Sequence, residues 1–168
     1  VFTKNNGEFL KMGDVIRLSK VANGSNQNIR NFVLLGDPAQ DIAFPKLNIV
    51  TTSVPDTIKA LSLVNISGYI SDDSFNKVNS FNGVINITVF DKKSSATTLG
   101  NDIGSYPANF SVRRNIIYKG KAVVNNGDFT FSFVVPKDIA YRFDKGKISY
   151  YAEDGNIDAA GFYDDFII

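Results

Sequence analysis

The 168-residue sequence contains neither cysteine nor histidine. Without these two residue types the chain cannot by itself form a disulfide, a thiolate zinc site, a Cys-His dyad or a Ser-His-Asp triad. Cysteine usage therefore leaves the compartment open. We expect that this chain carries no catalytic residue and binds no organic cofactor.

Long apolar runs and an excess of one charge are also missing. No run approaches the ~20 residues of a membrane helix, so we expect no membrane span, and Val1 opens no signal-peptide pattern. Lysine and arginine number 18 against 17 acidic residues, which argues against nucleic acid as a partner. Arg113-Arg114 is the densest basic spot, and we interpret it as solvated. A start at Val1 in place of Met suggests an excised or mature fragment.

Aromatic residues are plentiful, and they favour strands. The chain has 14 Phe and 7 Tyr, whose rings pack well on pleated surfaces. Apolar and polar residues alternate with period two at 64–70, 85–89 and 148–152, as in half-buried strands. These segments, separated by turn signals, predict a mainly β domain built as an antiparallel sandwich of the immunoglobulin-like kind.

A hairpin is predicted at Asn126-Gly127, because both residues tolerate the positive φ angles of a tight turn. Phe129, Phe131 and Phe133 then share one face of the following strand. Burying one such ring contributes ~2–3 kcal/mol, so a second sheet is expected to cover this face. Gly120 interrupts another apolar segment, and we predict a bulge or bend there.

The first 45 residues have a different pattern. Apolar spacing predicts a helix over 11–21, and a polar loop is expected over 25–30. The apolar run Phe32 to Leu35 predicts a strand that is buried on both faces, as in a sheet covered by helices. Gly36-Asp37-Pro38 then closes that strand. One helix and one buried strand form half of an α/β unit, which is too small to fold alone.

Several motifs resemble those of a known family, the gingipain-like cysteine peptidases. In that family a helix similar to GDVIRLSK (13–20) precedes a strand ending in Leu-Leu-Gly-Asp-Pro, as at 34–38, and then an aromatic-Pro pair, as at Phe44-Pro45. The segments VFDKKSSATTLGND (89–102), NIIYKGKAVVNNGDFTFSFVVPKDI (115–139) and GKISYYAED (146–154) are similar to one branch of it. That branch is the cell-surface sortase, or C-terminal signal peptidase, of the type IX secretion system in Bacteroidetes.

The resemblance implies the organisation of the chain. Residues 1–45 would be the C-terminal helix and strand of a caspase-like catalytic domain, and residues 46–168 an immunoglobulin-like β-sandwich. The family's catalytic His and Cys lie upstream of this segment, so the fragment would have no activity. The resemblance also implies a secreted or cell-surface location at the outer membrane, with the parent catalytic domain and other secretion-system proteins as partners. Gln40-Asp41 departs from the family's apolar-then-basic pair.

Two acidic positions are candidate binding sites. Asp37 follows a predicted parallel strand, where open α/β sheets bind ligands, although Asp is also a common turn residue. Asp154, Asn156 and Asp158 alternate in a loop, and calcium prefers such oxygen ligands. A solvated hairpin loop would explain the same three residues without a metal. Calcium is the one metal that we consider for them.

The remaining motifs favour structural interpretations. Asp164-Asp165 diverge on a strand and Asp72-Asp73 are typical of a turn, so neither pair suits the two converging carboxylates of a glycosidase. Tyr150-Tyr151 and Phe162-Tyr163 could form an exposed platform for sugar or peptide. Alternation instead predicts that one ring of each pair is buried.

Two functions stay open at this point. The first is a non-catalytic accessory domain of a secreted cysteine endopeptidase, which braces the catalytic domain. The alternative is a cell-surface β-sandwich that binds carbohydrate or a protein partner, for example through an open sheet edge. A purely structural surface repeat is disfavoured, because the sequence has no internal repeat.

Overall fold

The computed structural model describes residues 9–24, 27–139 and 142–168. Two compact units divide between Phe44 and Pro45. Within the described ranges, no helix has both the length and the apolar character needed to cross a bilayer.

The first unit contains two helices, α1 (Met12–Ala22) and α2 (Gln27–Asn31). The predicted helix is observed, and Gly24 ends it with a φ of 74°, which a residue with a side chain rarely adopts. The polar loop expected over 25–30 was wrong, because residues 27–30 form most of α2. None of the described residues from 9 to 44 is buried.

The predicted buried strand at Phe32 to Leu35 is not formed. The segment is extended but joins no ladder among the described residues. The side chains of Phe32, Val33 and Leu35 are 67%, 76% and 95% exposed. A strand needs a neighbour for its backbone groups, and the described part of the first unit provides none.

The second unit is built of strands. Nine strands are described: β1 (Leu47–Ser53), β2 (Leu63–Ser71), β3 (Gly83–Phe90), β4 (Ser94–Thr97), β5 (Asn109–Val112), β6 (Ile116–Asn125), β7 (Asp128–Val134), β8 (Lys147–Glu153) and β9 (Asp158–Tyr163). The chain is therefore mainly β, as predicted.

Seven of these strands form one closed sheet in the order β1-β2-β7-β6-β3-β8-β9. All pairs are antiparallel except β1 with β9. Two of the junctions are short: β6 meets β7 at only two opposed pairs, and β1 meets β9 at two. The closed sheet thus consists of two well-paired groups joined at narrow edges, which makes it sandwich-like. Strands β4 and β5 form a separate two-stranded hairpin.

The core lies between the two groups and follows the predicted alternation. Phe129, Phe131 and Phe133 are buried on one face of β7. The ring of Tyr118 stacks on Phe133 at 4.6 Å and on Phe131 at 5.8 Å. A Cβ at Gly120 would lie 2.2 Å from the Tyr118 hydroxyl. Gly120 therefore makes room for a core ring and does not interrupt β6.

The final segment of the chain differs from the sequence expectation. Residues 158–163 form β9, so Asp158, which was predicted in a loop, lies on a strand. A Cβ at Gly161 would lie 2.6 Å from the carbonyl oxygen of Ile49, so small residues let β1 and β9 approach. Residues 166–168 form no strand and contribute only isolated bridges at Ile167. Phe166 and Ile168 are nevertheless buried in the core.

Candidate functional site

The Gly-Asp-Pro turn of the first unit closes on the N-terminus of α1. The amides of Met12 and Gly13 donate hydrogen bonds to the carbonyls of Gln40 and Pro38, at 3.1 and 2.9 Å. The first amides of a helix have no partner within it, so these bonds cap α1. A Cβ at Gly13 would lie 2.8 Å from the Cβ of Pro38. The two motifs that carry the family resemblance are therefore in direct contact.

The acidic side chains in this turn make local contacts that stabilise the turn. The Asp37 carboxylate accepts a hydrogen bond from the Ala39 amide at 2.8 Å, which is a common turn arrangement. Asp41 forms an ion pair with Lys11 at 2.6 Å. The acidic residue that departs from the family pattern thus has a partner inside the first unit. No ligand is needed to explain either carboxylate.

Two of the three predicted calcium residues, Asp154 and Asn156, lie in the turn between β8 and β9. Asp154 Oδ1 accepts hydrogen bonds from the amides of Ile157 and Asn156, both at 2.9 Å. These two bonds, Ile157 first, lower the pKa of Asp154 below its usual value. Asp158 lies in β9, where the Tyr151 hydroxyl donates to it at 3.4 Å.

A calcium site would have to draw Asp154 out of these local bonds, or share its oxygens with them. Within the described ranges, no group of three or more His, Cys, Asp and Glu side chains is placed to hold a metal. Asn156 and backbone carbonyls could complete a weaker oxygen set. The calcium hypothesis for Asp154, Asn156 and Asp158 stays a prediction.

The other acidic pairs do not form an acid-base site. Asp72 accepts hydrogen bonds from the amides of Asn76 and Ser74, and the Asn76 bond is the main reason that its pKa is lowered. Asp165 forms an ion pair with Lys145 at 2.8 Å. Each of these carboxylates has a local structural partner. Asp72 lies in a turn as predicted, whereas Asp164 and Asp165 follow the end of β9 and were wrongly predicted to lie on a strand.

The aromatic pairs divide between core and surface. Tyr150 is buried and Tyr151 is exposed, as the alternation predicts. Phe162 is exposed, whereas Tyr163 is half-buried and stacks on Phe166 at 6.2 Å. The exposed rings of Tyr151 and Phe162 make no ring contact within the ranges that the structure describes. These two exposed rings therefore do not stack on one another.

One sheet edge is open along β6. This strand pairs with β3 along its length but with β7 only at Val124 and Asn125. Lys119 and Lys121 are exposed on the open stretch. Lysine on an edge discourages pairing with another strand. The edge therefore gives little support to a strand-donation partner.

The loop between β4 and β5 exposes apolar side chains. Leu99, Ile103 and Tyr106 are all largely accessible to solvent. Gly100 and Gly104 both have positive φ angles, which shape this loop. Nothing in the sequence pattern singled out this loop, because its apolar residues are scattered among turn residues.

A basic cavity of about 270 Å³ lies within the second unit. It is lined by Phe90, Lys93, Ser111, Arg113 and Lys147. Three of its five lining residues are cationic and none is acidic. Sequence reasoning missed this cavity because its members come from three stretches of the chain, at 90–93, 111–113 and 147.

A buried ion pair follows β3 in the chain. Lys92 Nζ lies 3.0 Å from Asp91 Oδ1, and both side chains are at most 2% exposed. Lys92 Nζ also donates to the carbonyl of Ile168 at 3.4 Å. A buried pair of this kind is costly to break, because either partner alone would be an uncompensated charge.

Comparison with known proteins shows a likeness to a solved structure. No family model and no curated protein sequence matches the chain. The crystal structure of dimeric latent PorU from Porphyromonas gingivalis matches 97% of the chain at 25% identity and a TM-score of 0.64. The chain spans 17% of the length of that protein.

Two further structures share only a rough arrangement of strands. The sporulation control protein Spo0M from Bacillus subtilis matches 74% of this chain and 49% of its own, at 12% identity and a TM-score of 0.37. A conjugative transposon lipoprotein from Bacteroides eggerthii matches 71% of this chain and 95% of its own, at 11% identity and a TM-score of 0.33. These two carry no functional argument. From the PorU likeness, which runs through both units, we conclude that the chain has a PorU-related fold.

Proposed function

We propose that this chain is a non-catalytic accessory segment of a secreted gingipain-like cysteine endopeptidase. The parent would be the type IX secretion sortase, which cleaves the C-terminal secretion signals of cargo proteins at the cell surface. Residues 1–45 would end its caspase-like catalytic domain, and residues 46–168 would form its immunoglobulin-like domain. The PorU likeness and the sequence motifs support this assignment.

The observation that carries the proposal is the exposed segment Phe32 to Leu35. Its apolar side chains are accessible and its backbone has no ladder partner among the described residues. Burying a Phe, Val or Leu side chain contributes about 1.5–3 kcal/mol each, so exposure of three is unfavourable. A larger parallel sheet would cover both faces of such a segment and pair both of its edges.

The strand order supports the immunoglobulin-like assignment. One group, β1-β2-β7, faces a second group, β6-β3-β8-β9, and consecutive strands of the second unit are distributed between them. In an immunoglobulin-like sandwich part of the first strand pairs in parallel with the last strand, as β1 pairs with β9 here. Such sandwiches often serve as rigid spacers or docking domains, whereas chemistry depends on a site.

The division of labour follows from composition. The chain has no Cys and no His, so a cysteine-peptidase mechanism requires residues from elsewhere in the parent. The second unit would then brace the catalytic domain through the junction at 36–45. The location would be the cell surface, with the outer membrane nearby.

The test is hydrogen exchange in two proteins, the 168-residue chain and the full parent enzyme encoded by its gene. The amides of residues 32–35 should exchange freely in the shorter chain and be protected at least about 100-fold in the parent. Amides in β3 serve as the control and should be protected in both. Equal, fast exchange of residues 32–35 in the two proteins would contradict the proposal, as would peptide cleavage by the pure 168-residue chain.

A binding module for a protein partner is the second candidate, favoured by the exposed loop between β4 and β5. Replacing Leu99 and Tyr106 with Ser should leave thermal unfolding unchanged, because both side chains are solvent-exposed. If the sandwich only braces the enzyme, the same variant of the parent should cleave its cargo at the normal rate. A lower rate with unchanged stability would instead assign a partner-binding role to this loop.

A further inference from the structure

We propose that the basic cavity of the second unit binds the oxyanion of a phosphate or sulfate group. This inference rests on the five side chains that line the cavity and does not depend on the proposed parent enzyme. The cavity is defined by Phe90, Lys93, Ser111, Arg113 and Lys147.

The fold brings these residues together from separate segments. Phe90 ends β3 and Lys147 begins β8, and these two residues face each other in the ladder. Ser111 lies in β5, and Lys93 and Arg113 flank the hairpin of β4 and β5. The hairpin thus places the Ser111 hydroxyl and the cationic side chains of Lys93 and Arg113 at the end of the β3–β8 ladder. The third cationic side chain, Lys147, lies at that end of the ladder.

Arg113 is the lining residue whose side chain is held in place by hydrogen bonds. Its Nη2 donates to the carbonyls of Lys145 and Gly146, each at 3.3 Å, which fixes the plane of the guanidinium. Its Nε is buried and has no hydrogen-bond partner among the described residues. A buried donor without an acceptor is unfavourable, and an oxyanion in the cavity would provide that acceptor. Because Nη2 already donates to two carbonyls, Nε and Nη1 are the donors left for single charge-assisted hydrogen bonds to oxyanion oxygens.

The charges around the cavity are not neutralised locally. Ion pairs occupy other cations of the described chain: Lys11 with Asp41, Lys77 with Asp128, Lys92 with Asp91, and Lys145 with Asp165. Lys93, Arg113 and Lys147 form no ion pair within the same ranges. Arg113 also interacts electrostatically with Asp144, a carboxylate that does not line the cavity and pairs with Arg142 at 3.7 Å.

The walls of the cavity favour an ester over a bare ion. Phe90 contributes an apolar surface, and Lys147 Nζ lies 4.7 Å from the centre of the Phe162 ring. A sugar or alkyl group attached to the oxyanion could pack on the Phe90 ring. A long nucleic acid is disfavoured, because the chain has a net charge of only +1 and offers no extended basic track.

The experiment is an NMR titration of the 168-residue chain with inorganic phosphate, sulfate and glucose 1-phosphate, against chloride at equal ionic strength. The amides of Lys93, Ser111, Arg113 and Lys147 should shift with the oxyanions and not with chloride. Tighter binding of glucose 1-phosphate than of inorganic phosphate would identify an ester as the natural ligand. The reverse order would identify the free ion.

Variants locate the site. Lys93→Met and Lys147→Met should each weaken binding about tenfold, the cost of one charge-assisted contact. Lys119→Met is the matched control, since Lys119 is exposed on β6 outside the cavity, and it should bind normally. Arg113→Lys keeps the charge but loses the Nε donor and the two Nη2 bonds that hold the side chain, so it should bind more weakly than the unmodified chain.

Three results would overturn the proposal. These are an equal response to chloride, amide shifts that map away from the cavity, and a loss in Lys119→Met as large as in Lys93→Met. If Arg113→Lys fails to fold, the two surface lysine variants still decide the question, because neither side chain is in the core.

Discussion

The two units of this chain use apolar residues in opposite ways. In residues 45–168, alternating apolar side chains point inward, and every described buried residue belongs to this unit. In residues 9–44, the helix faces are at most half-buried, and the most apolar run of the unit is exposed. The same chemistry therefore produces a core in one unit and an unpartnered surface in the other.

The difference teaches that apolar pattern and apolar burial are separate facts. A period-two pattern buries itself when the chain also provides a second sheet to cover it. A continuous apolar run needs partners on both faces and both edges. The first unit has stabilising local contacts, such as the rings of Phe9 and Phe44 at 4.3 Å, but it lacks those partners among its described residues.

The largest expected effect is on the free energy of unfolding, and it compares substitution of a core ring in the second unit with substitution of an exposed ring in the first. Phe131→Ala should lower the free energy of unfolding by about 3–5 kcal/mol, because it leaves a cavity under the stacked Tyr118 ring. Phe32→Ala is the matched control and should change it by less than about 0.5 kcal/mol, because Phe32 is exposed. Urea unfolding of both variants measures the difference. Similar losses in the two variants would break the comparison.

The buried ion pair gives the next largest effect. Lys92→Met should cost about 3 kcal/mol, because it leaves the Asp91 carboxylate buried without its cation. The double variant Asp91→Asn, Lys92→Met should be more stable than this single variant, since no buried charge remains. Urea midpoints provide the measurement. A double variant less stable than Lys92→Met would show that the pair is not the source of the cost.

A smaller and local effect is expected in the first unit. Gly13→Ala would normally favour a helix, but the new Cβ would meet Pro38 at 2.8 Å. We expect the turn to move away, so that the amides of Met12 and Gly13 lose their caps and exchange faster. Val21→Ala, at an exposed position of the same helix, should leave these amides unchanged. Slower exchange in Gly13→Ala would show that the turn accommodates the methyl group.

The sequence was informative where local rules decide the structure. The Asn126-Gly127 turn, with φ angles of 48° and 79°, and the inward face of β7 follow from residues close together in the chain. Strand β9 was missed because Ala159, Ala160 and Gly161 lack a strand pattern. Their small size matters only through β1, which is more than 100 residues away in the chain.

The candidate site could be predicted less well than the fold. Arg113-Arg114 was visible as a basic pair, but we expected both side chains to be solvated. The structure leaves Arg114 exposed, whereas Arg113 is half-buried between a hairpin and the start of β8. Convergence with Lys93 and Lys147 depends on tertiary pairing, which no local spacing encodes. The buried-strand prediction was wrong for a related reason, because burial depends on a partner sheet.

A pH-dependent loss of stability is expected in the second unit, but only at alkaline pH. Burial raises the pKa of Tyr150 to about 12, and its hydroxyl lies 3.0 Å from Thr51 Oγ1. The unfolded chain ionises Tyr near 10, so this contribution to stability is complete below pH 10 and declines as the pH rises towards 12. Ultraviolet titration of Tyr150→Phe should lack the component near 12. An unchanged curve would contradict the assignment.

The smallest expected effect concerns calcium at Asp154, Asn156 and Asp158. Millimolar calcium should raise the melting temperature by about 2 °C or less if a weak site forms. Asp158→Asn should remove that shift, while Asp72→Asn, in a different turn, should retain it. No shift with calcium in the unmodified chain would end the hypothesis.

The most direct test of the account is thermal unfolding of residues 45–168 alone beside the whole chain. If the second unit holds the entire core, its melting temperature should match that of the 168-residue chain within about 2 °C, which corresponds to under about 1 kcal/mol. A shortened protein that is insoluble, or that melts more than about 10 °C lower, would contradict the claim that the sandwich stands without the first unit.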